Sequence, residues 1–264
     1  MKRLLPLIVS ALVLALVTAG PVLGSGREAA AGRDDHLAGL ITRIKASTMA
    51  VGTFKFTEKP PARFLGTGFI IGDGRRVVTN HHVIAPVKEK KRLFYLHIFN
   101  TALPDKRLKA KLVAEDPFHD LAILEIETKL PALPLAASGS VKEGHGIAFT
   151  GYPIGFVLGL NPTTHTGIVS AIAPIILPPL HSSMINGKLV KHLRKPYDIL
   201  QIDAVAFPGN SGSPVYRIAT GEVVGVINKV FIKGKKEHAL KDPTGLTYAI
   251  PVEYVRALEA TIKN

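Results

Sequence analysis

Short β-type runs follow one another along most of this chain, and each is cut off by glycine or proline before it grows long. A first set reads Ala50 to Phe56, Phe64 to Ile71, Arg76 to Thr79, Leu93 to Phe99, Leu108 to Ala114 and Leu121 to Ile126. A second set reads Gly146 to Thr150, Thr166 to Ile172, Ile199 to Ala206, Ser213 to Ile218, Glu222 to Val230 and Thr247 to Ile250. Regular short strands with turn signals between them predict an all-β sandwich or barrel. Six runs followed by six more suit two barrels, with a boundary near Lys129 to Glu143. The hydrophobic content of 47% over 264 residues is enough for a real core. Two helices flank the strands in this reading. Leu37, Leu40, Ile41 and Ile44 fall at helical spacing between Ala29 and about Lys45. Pro251 to Lys263 reads as a closing helix with proline in its first turn.

The chemistry-bearing stretch is Phe207-Pro208-Gly209-Asn210-Ser211-Gly212-Ser213-Pro214. Its glycines bare the backbone around one serine, so a substrate can approach closely and N–H groups can converge on a developing oxyanion. Alone, such a cluster is an ordinary β-turn. Two further segments supply partners: Arg76-Val77-Val78-Thr79-Asn80-His81-His82-Val83 ends a β-branched run in histidine, and Asp116-Pro117-Phe118-His119-Asp120 places an aspartate before a strand. An imidazole can take the proton of a serine hydroxyl, and a carboxylate on the far ring nitrogen fixes the tautomer and stabilises the imidazolium. Neighbours on a strand face opposite ways, so only one of His81 and His82 can meet Asp120. Asp116 reads as a turn opener before proline. His119 and His165 read as loop histidines. With no cysteine and no metal-like histidine spacing, no metal site and no cofactor are expected.

The blocks Gly66-Thr67-Gly68-Phe69-Ile70-Ile71, Thr79-Asn80-His81-His82-Val83, Asp120-Leu121-Ala122-Ile123-Leu124, Thr166-Gly167-Ile168-Val169-Ser170-Ala171 and Gln201-Ile202-Asp203-Ala204 through Gly212 resemble, in order, those of trypsin-like serine proteases of the HtrA/Deg type. The order His, Asp, Ser is that of chymotrypsin and not of subtilisin or the α/β-hydrolases. The resemblance spans about residues 48 to 252. It implies two six-stranded antiparallel β-barrels of the chymotrypsin kind, with short N- and C-terminal helices and the active site between the halves. It implies His82 as general base, Asp120 as its carboxylate, Ser211 as nucleophile, and the Gly209 and Ser211 N–H groups as the oxyanion hole. It places the substrate pocket at Val205 and at Gly225, Val226 and Ile227. Aliphatic walls without an acid there imply cleavage of proteins or peptides after small or medium apolar residues. Ser213 departs from the family's second glycine, and reduced tolerance of some substrates is the expected result. No PDZ-like module follows the last block, so substrate selection is expected within the domain or from a partner. Asn210, where digestive trypsins have aspartate, implies no activation by a new N-terminus.

The expected division is residues 1–24 as a signal peptide or uncleaved anchor, 25–48 as a helical segment, 49–135 as the first barrel and 136–264 as the second with its helix. Lys2 and Arg3 before the apolar run Leu4 to Val17, then small residues and turn formers, have the form of a secretory signal, giving a periplasmic or secreted location. The net charge is +13. It is spread over Lys88 to Arg92, Lys106 to Lys111, Lys191 to Lys195 and Lys229 to Lys236, which reads as a solvated basic surface with weak attraction to anionic membranes as the alternative. Few aromatics and no reader motif speak against nucleic-acid binding. Pro174 to Pro196 reads as an extended loop beside the active-site half. Three rival readings compete. Gly66-Thr67-Gly68 leads into a strand and fails as a dinucleotide loop. The Gly-x-Ser-x-Gly elbow of typical esterases is absent. A protease scaffold serving only as a binding or chaperone-like protein remains open. The oligomeric state is not legible.

Overall fold

The computed structural model describes residues 25–89, 95–99, 107–153, 161–175, 196–230 and 246–262. The signal-like segment, nearly all of the 174–196 loop and most of the basic stretches from Lys88, Lys191 and Lys229 lie outside these residues. Residues up to Leu37 cluster apart from Ala38–Asn264, and it is the latter unit that carries the strands.

Helix α1 (Ser25–Ser47) leads into β1 (Thr48–Phe54), β2 (Ala62–Ile71) and β3 (Arg76–Asn80). Then come α2 (His81–Glu89), β4 (Tyr95–Phe99), β5 (Arg107–Asp116) and β6 (Leu121–Ile126). The second half contains β7 (Gly146–Gly151), β8 (Thr163–Pro174), β9 (Asp198–Asp203), β10 (Pro214–Arg217), β11 (Val223–Val230) and β12 (Leu246–Pro251), and α3 (Val252–Glu259) follows. Both sets close into antiparallel barrels. The first runs β1-β2-β3-β6-β5-β4 and the second, read the same way round, β7-β8-β9-β12-β11-β10. The two halves therefore repeat one strand order. Bulges at Val51/Gly52, Leu112/Ala114, Val169/Ala171, Val215/Tyr216 and Ile227/Lys229 supply the local bends that closure needs.

Alternation along the strands sorts the core. In β6, Ala122 and Leu124 join Met49, Val51, Ile70, Val77 and Ile98 inside the first barrel. Leu121 and Ile123, on the other face of β6, join Phe69, Val78, Tyr216, Val226 and Ile250 in a cluster drawn from both barrels. A strand buried on both faces reads as an unbroken apolar run, which is why Leu121-Ala122-Ile123-Leu124 shows no polar alternation. Phe149, Val169, Leu200, Ile202, Val215, Val224 and Ile227 fill the second barrel. Leu40 and Ile44 of α1, and Val255 and Leu258 of α3, seal the shared cluster from outside. Arg256 fastens α3 to the inter-barrel connection by donating to the carbonyls of Ala136 (3.0 Å) and Leu135 (2.6 Å).

The N-terminal helix is longer than the short one expected, at 23 residues. Helix α2 was not expected at all. His-His-Val-Ile-Ala-Pro holds two β-branched residues and a proline, so local propensity argues against a helix, and partners from elsewhere in the chain must stabilise its start. Of the basic runs, Arg107, Lys109 and Lys111 are described, and all three are exposed along one face of β5.

Candidate active site

His82 is the second residue of α2 and not the end of a strand, so the opposite-faces argument for His81 and His82 does not apply. The helical start separates them instead. His81 Nε2 points to Glu115 Oε2 at 3.5 Å. The ring of His82 meets Asp120, with Nδ1 2.6 Å from Oδ2. Asp120 also grips the start of the helix. Its Oδ1 accepts the His82 backbone N–H at 2.9 Å, and its carbonyl accepts the His81 N–H at 3.0 Å and the Asn80 Nδ2 at 3.1 Å. A carboxylate at a helix N-terminus satisfies otherwise orphaned donors and meets the positive end of the dipole. Asp120 does this across a sequence gap of 38 residues, at a φ of 57°, the left-handed region that few non-glycine residues adopt. Because the carboxylate is an acceptor, Nδ1 carries the proton, and Nε2 is left with its lone pair.

Ser211 lies in the second half, before β10. The turn leading to it is closed by the Asn210 N–H donating to the Phe207 carbonyl at 3.0 Å, with Pro208 second and Gly209 third at φ 103°. That is the pattern of a type II turn, which needs a positive φ at its third position. Among the described residues, the N–H groups of Gly209 and Ser211 have no acceptor. The Ser211 hydroxyl donates to the Asn228 carbonyl at 2.8 Å, and among the described residues it makes no hydrogen bond to His82.

Thr67 and Asn228 are the residues the sequence reading gave no role. The Thr67 hydroxyl donates to the Gly209 carbonyl at 2.8 Å and accepts the Tyr152 N–H at 3.1 Å, while its own N–H donates to the Ser211 carbonyl at 2.8 Å. Thr79 holds Thr67 from behind, donating to its carbonyl at 2.7 Å. The serine turn of the second half is thus hung on β2 of the first. Gly212, at φ 88°, leaves no room for a side chain, since a Cβ would lie 2.0 Å from the Thr67 carbonyl oxygen. The signal for Thr67 was its place between Gly66 and Gly68. A Cβ on Gly66 would come within 3.0 Å of the Ser211 carbonyl oxygen.

The remaining candidates fall as follows. Val205 is half-buried. Gly225 is wedged against β12, Val226 belongs to the cluster shared by the barrels, and Ile227 faces the interior of the second barrel. Ser213 is fully buried and points toward Gly151 and Asn210. Asp116 opens the turn before β6 and also binds the His119 ring, 2.5 Å from its Nδ1. His165 lies within β8 and not in a loop; its ring stacks on Phe149 with centroids 4.9 Å apart, and burial lowers its pKa. Among the described residues, no three His, Cys, Asp or Glu side chains gather as a metal-holding group.

Residues 66–226 match the model of the trypsin-like peptidase domain. The chain belongs to the trypsin-like peptidase family. Similar curated proteins are named "Probable periplasmic serine endoprotease DegP-like". The one from Pseudomonas fluorescens is 34% identical over 204 residues, covering 77% of this chain and 36% of that protein. The one from Halomonas elongata is 30% identical over 203 residues, with 76% and 36% covered. The chain therefore spans about a third of the length of these relatives. A solved structure described as HtrA-type protease AlgW with tripeptide superimposes with a TM-score of 0.62 at 24% identity, over 86% of this chain and 63% of that one. The two-barrel fold is shared with that structure. Among the described residues, no helix is long and apolar enough to cross a membrane.

Proposed function

We propose that this chain is a serine endopeptidase that cleaves proteins through an acyl-enzyme, in protein quality control or processing in the bacterial envelope. The observation that carries the reading is the 2.6 Å contact between His82 Nδ1 and Asp120 Oδ2. It commits the imidazole to one tautomer and leaves Nε2 as a base. In this reading His82 takes the Ser211 proton as Oγ attacks the scissile carbonyl, and later delivers it to the leaving amine. Asp120 stabilises the imidazolium. The Gly209 and Ser211 N–H groups receive the oxyanion, worth about 10²–10³ in rate per donor in such sites. The periplasmic names of the DegP-like relatives and the signal-like N-terminus support an extracytoplasmic location.

Substrate choice follows from the walls available. Val205, half-buried just upstream of the serine turn, offers an aliphatic wall and no carboxylate, so the residue before the scissile bond should be small or medium and apolar. Mass-spectrometric mapping of cleavage sites in a denatured protein tests this. Cuts after Val, Ala or Leu that vanish in Ser211→Ala are expected; cuts mainly after Arg or Lys would overturn it.

One observation favours a second reading, a binding or chaperone-like protein on the same scaffold. The Ser211 hydroxyl is engaged by the Asn228 carbonyl and not by His82. Under that reading Ser211→Ala would leave the cellular role intact.

A further inference from the structure

The turn that carries Asp120 contains a second histidine–carboxylate pair. Asp116 Oδ1 accepts the backbone N–H groups of Phe118 (2.9 Å) and His119 (3.2 Å), and its Oδ2 takes His119 Nδ1 at 2.5 Å. One carboxylate thus fixes both the backbone and the ring of the residue immediately before Asp120. Burial pushes the Asp116 carboxyl up, but the hydrogen bonds from the His119 ring and backbone and from the Phe118 N–H outweigh it and hold its pKa below the usual value.

The far side of the His119 ring is held by the second half of the chain. It stacks on Tyr254 of α3, with centroids 4.0 Å apart and planes 18° from parallel, and meets Tyr197 edge-on at 4.7 Å and Phe118 at 4.8 Å. Tyr197 and Tyr254 also touch each other at 5.4 Å. The titratable and charged groups around His119 are Asp116 and Asp120 on its own turn, Tyr197 and Asp198 at the start of β9, Tyr248 of β12, and Glu253 and Tyr254 of α3. Burial above all, with neighbouring carboxylates adding to it, raises the phenols of Tyr197, Tyr248 and Tyr254, so they stay neutral.

A left-handed backbone at a residue other than glycine is strained and persists only where the surroundings over-determine it. On one side, the bonds from His81 and Asn80 hold the Asp120 carbonyl. On the other, the residue covalently joined to Asp120 is clamped between Asp116 and Tyr254.

We propose that His119 is a positioning residue: pinned by Asp116 and stacked on Tyr254, it holds Asp120 in its left-handed conformation, keeps its carboxylate on His82, and couples that pair to helix α3. The inference rests on the triad reading given above. It makes α3, remote in sequence from both His82 and Asp120, part of what tunes the base.

The test compares the wild-type chain with His119→Phe, His119→Asn and Tyr254→Ala. His119→Phe keeps a ring for stacking without a donor to Asp116, and His119→Asn keeps a donor near Nδ1 without the stack. Competent sites are counted with a fluorophosphonate so that rates are per active Ser211, and kcat, KM and the pH profile of kcat/KM are measured on a peptide. His119→Phe and Tyr254→Ala are each expected to lower kcat per site about tenfold, with KM within about twofold. The acid limb should move down by about half a pH unit, because an imidazolium that loses its carboxylate is less stable. His119→Asn should fall between these and the wild type. A residue that only supports the fold would lower Tm and the number of competent sites, leaving kcat per site and the acid limb unchanged, and that result overturns the proposal. If one variant fails to fold, the others decide. Wild-type turnover in Ser211→Ala would instead sink the triad reading itself, a distinguishable failure.

Discussion

The hydroxyl of Thr67 donates to the carbonyl of Gly209, 142 residues further along the chain, at 2.8 Å, and accepts the N–H of Tyr152 at 3.1 Å. One buried side chain on β2 thereby sets the orientation of the turn that presents Ser211. The serine arrives from one barrel and the histidine from the other, so a shift of about an ångström between them costs about a hundredfold in rate.

Thr67→Val tests that relationship. The substitution keeps the branched shape but leaves the Gly209 carbonyl and the Tyr152 N–H without their partner, at about 1–3 kcal/mol of stability. Urea denaturation should register that loss, and kcat should fall about tenfold or more with little change in KM. Thr67→Ser should restore both.

Ser213 lends itself to a direct test. It stands where the family has glycine, and a substrate effect was the natural expectation. Its side chain is fully buried beside Gly151, and its hydroxyl has no hydrogen-bond partner among the described residues. Ser213→Ala removes an unpaired buried hydroxyl, so stability should rise by about 1 kcal/mol. The profile of cleavage sites should stay the same; a changed profile would return Ser213 to the substrate side.

His165 gives the fold a pH dependence separate from catalysis. Burial lowers its pKa, and its Nε2 is buried with no hydrogen-bond partner among the described residues. The unfolded chain therefore takes up a proton near the ordinary histidine value, about 6.5, before the folded chain does. Stability is complete above that pH and declines as the pH falls below it. Urea midpoints of the Ser211→Ala protein between pH 8 and pH 5 should show the decline, and His165→Phe, which preserves the stack on Phe149, should flatten it.

Much of the fold was legible because closed barrels leave a strong local mark. Each strand is short, apolar on at least one face and ended by a turn former, and β6 shows both faces buried as one continuous apolar run. Helix α2 was illegible for a physical reason. Its stability comes from the Asp120 carboxylate and carbonyl, 38 residues away, and no local propensity encodes a cap supplied at that distance. His82, Asp120 and Ser211 could be picked out because glycines, strand ends and a familiar order surround them. Thr67 left only the mark of its flanking glycines, and Asn228 and the His119 clamp left none, because each acts through a backbone carbonyl or a ring contact that exists only once the two halves are folded. Gly225 and Val226 were picked as pocket residues from motif position alone. In the fold, Gly225 packs against β12, Val226 joins the cluster shared by the barrels and Ile227 the interior of the second.

The most direct measurement is labelling of residues 25–264 with a fluorophosphonate across pH 5 to 8, with the modified residue located by mass spectrometry. The account predicts one adduct, on Ser211, absent in Ser211→Ala and strongly slowed in His82→Ala. Its rate should fall as the pH is lowered and the imidazole base takes up a proton. A folded protein that takes no label, or takes it equally in the absence of His82, would contradict an activated Ser211 and leave the binding scaffold as the function.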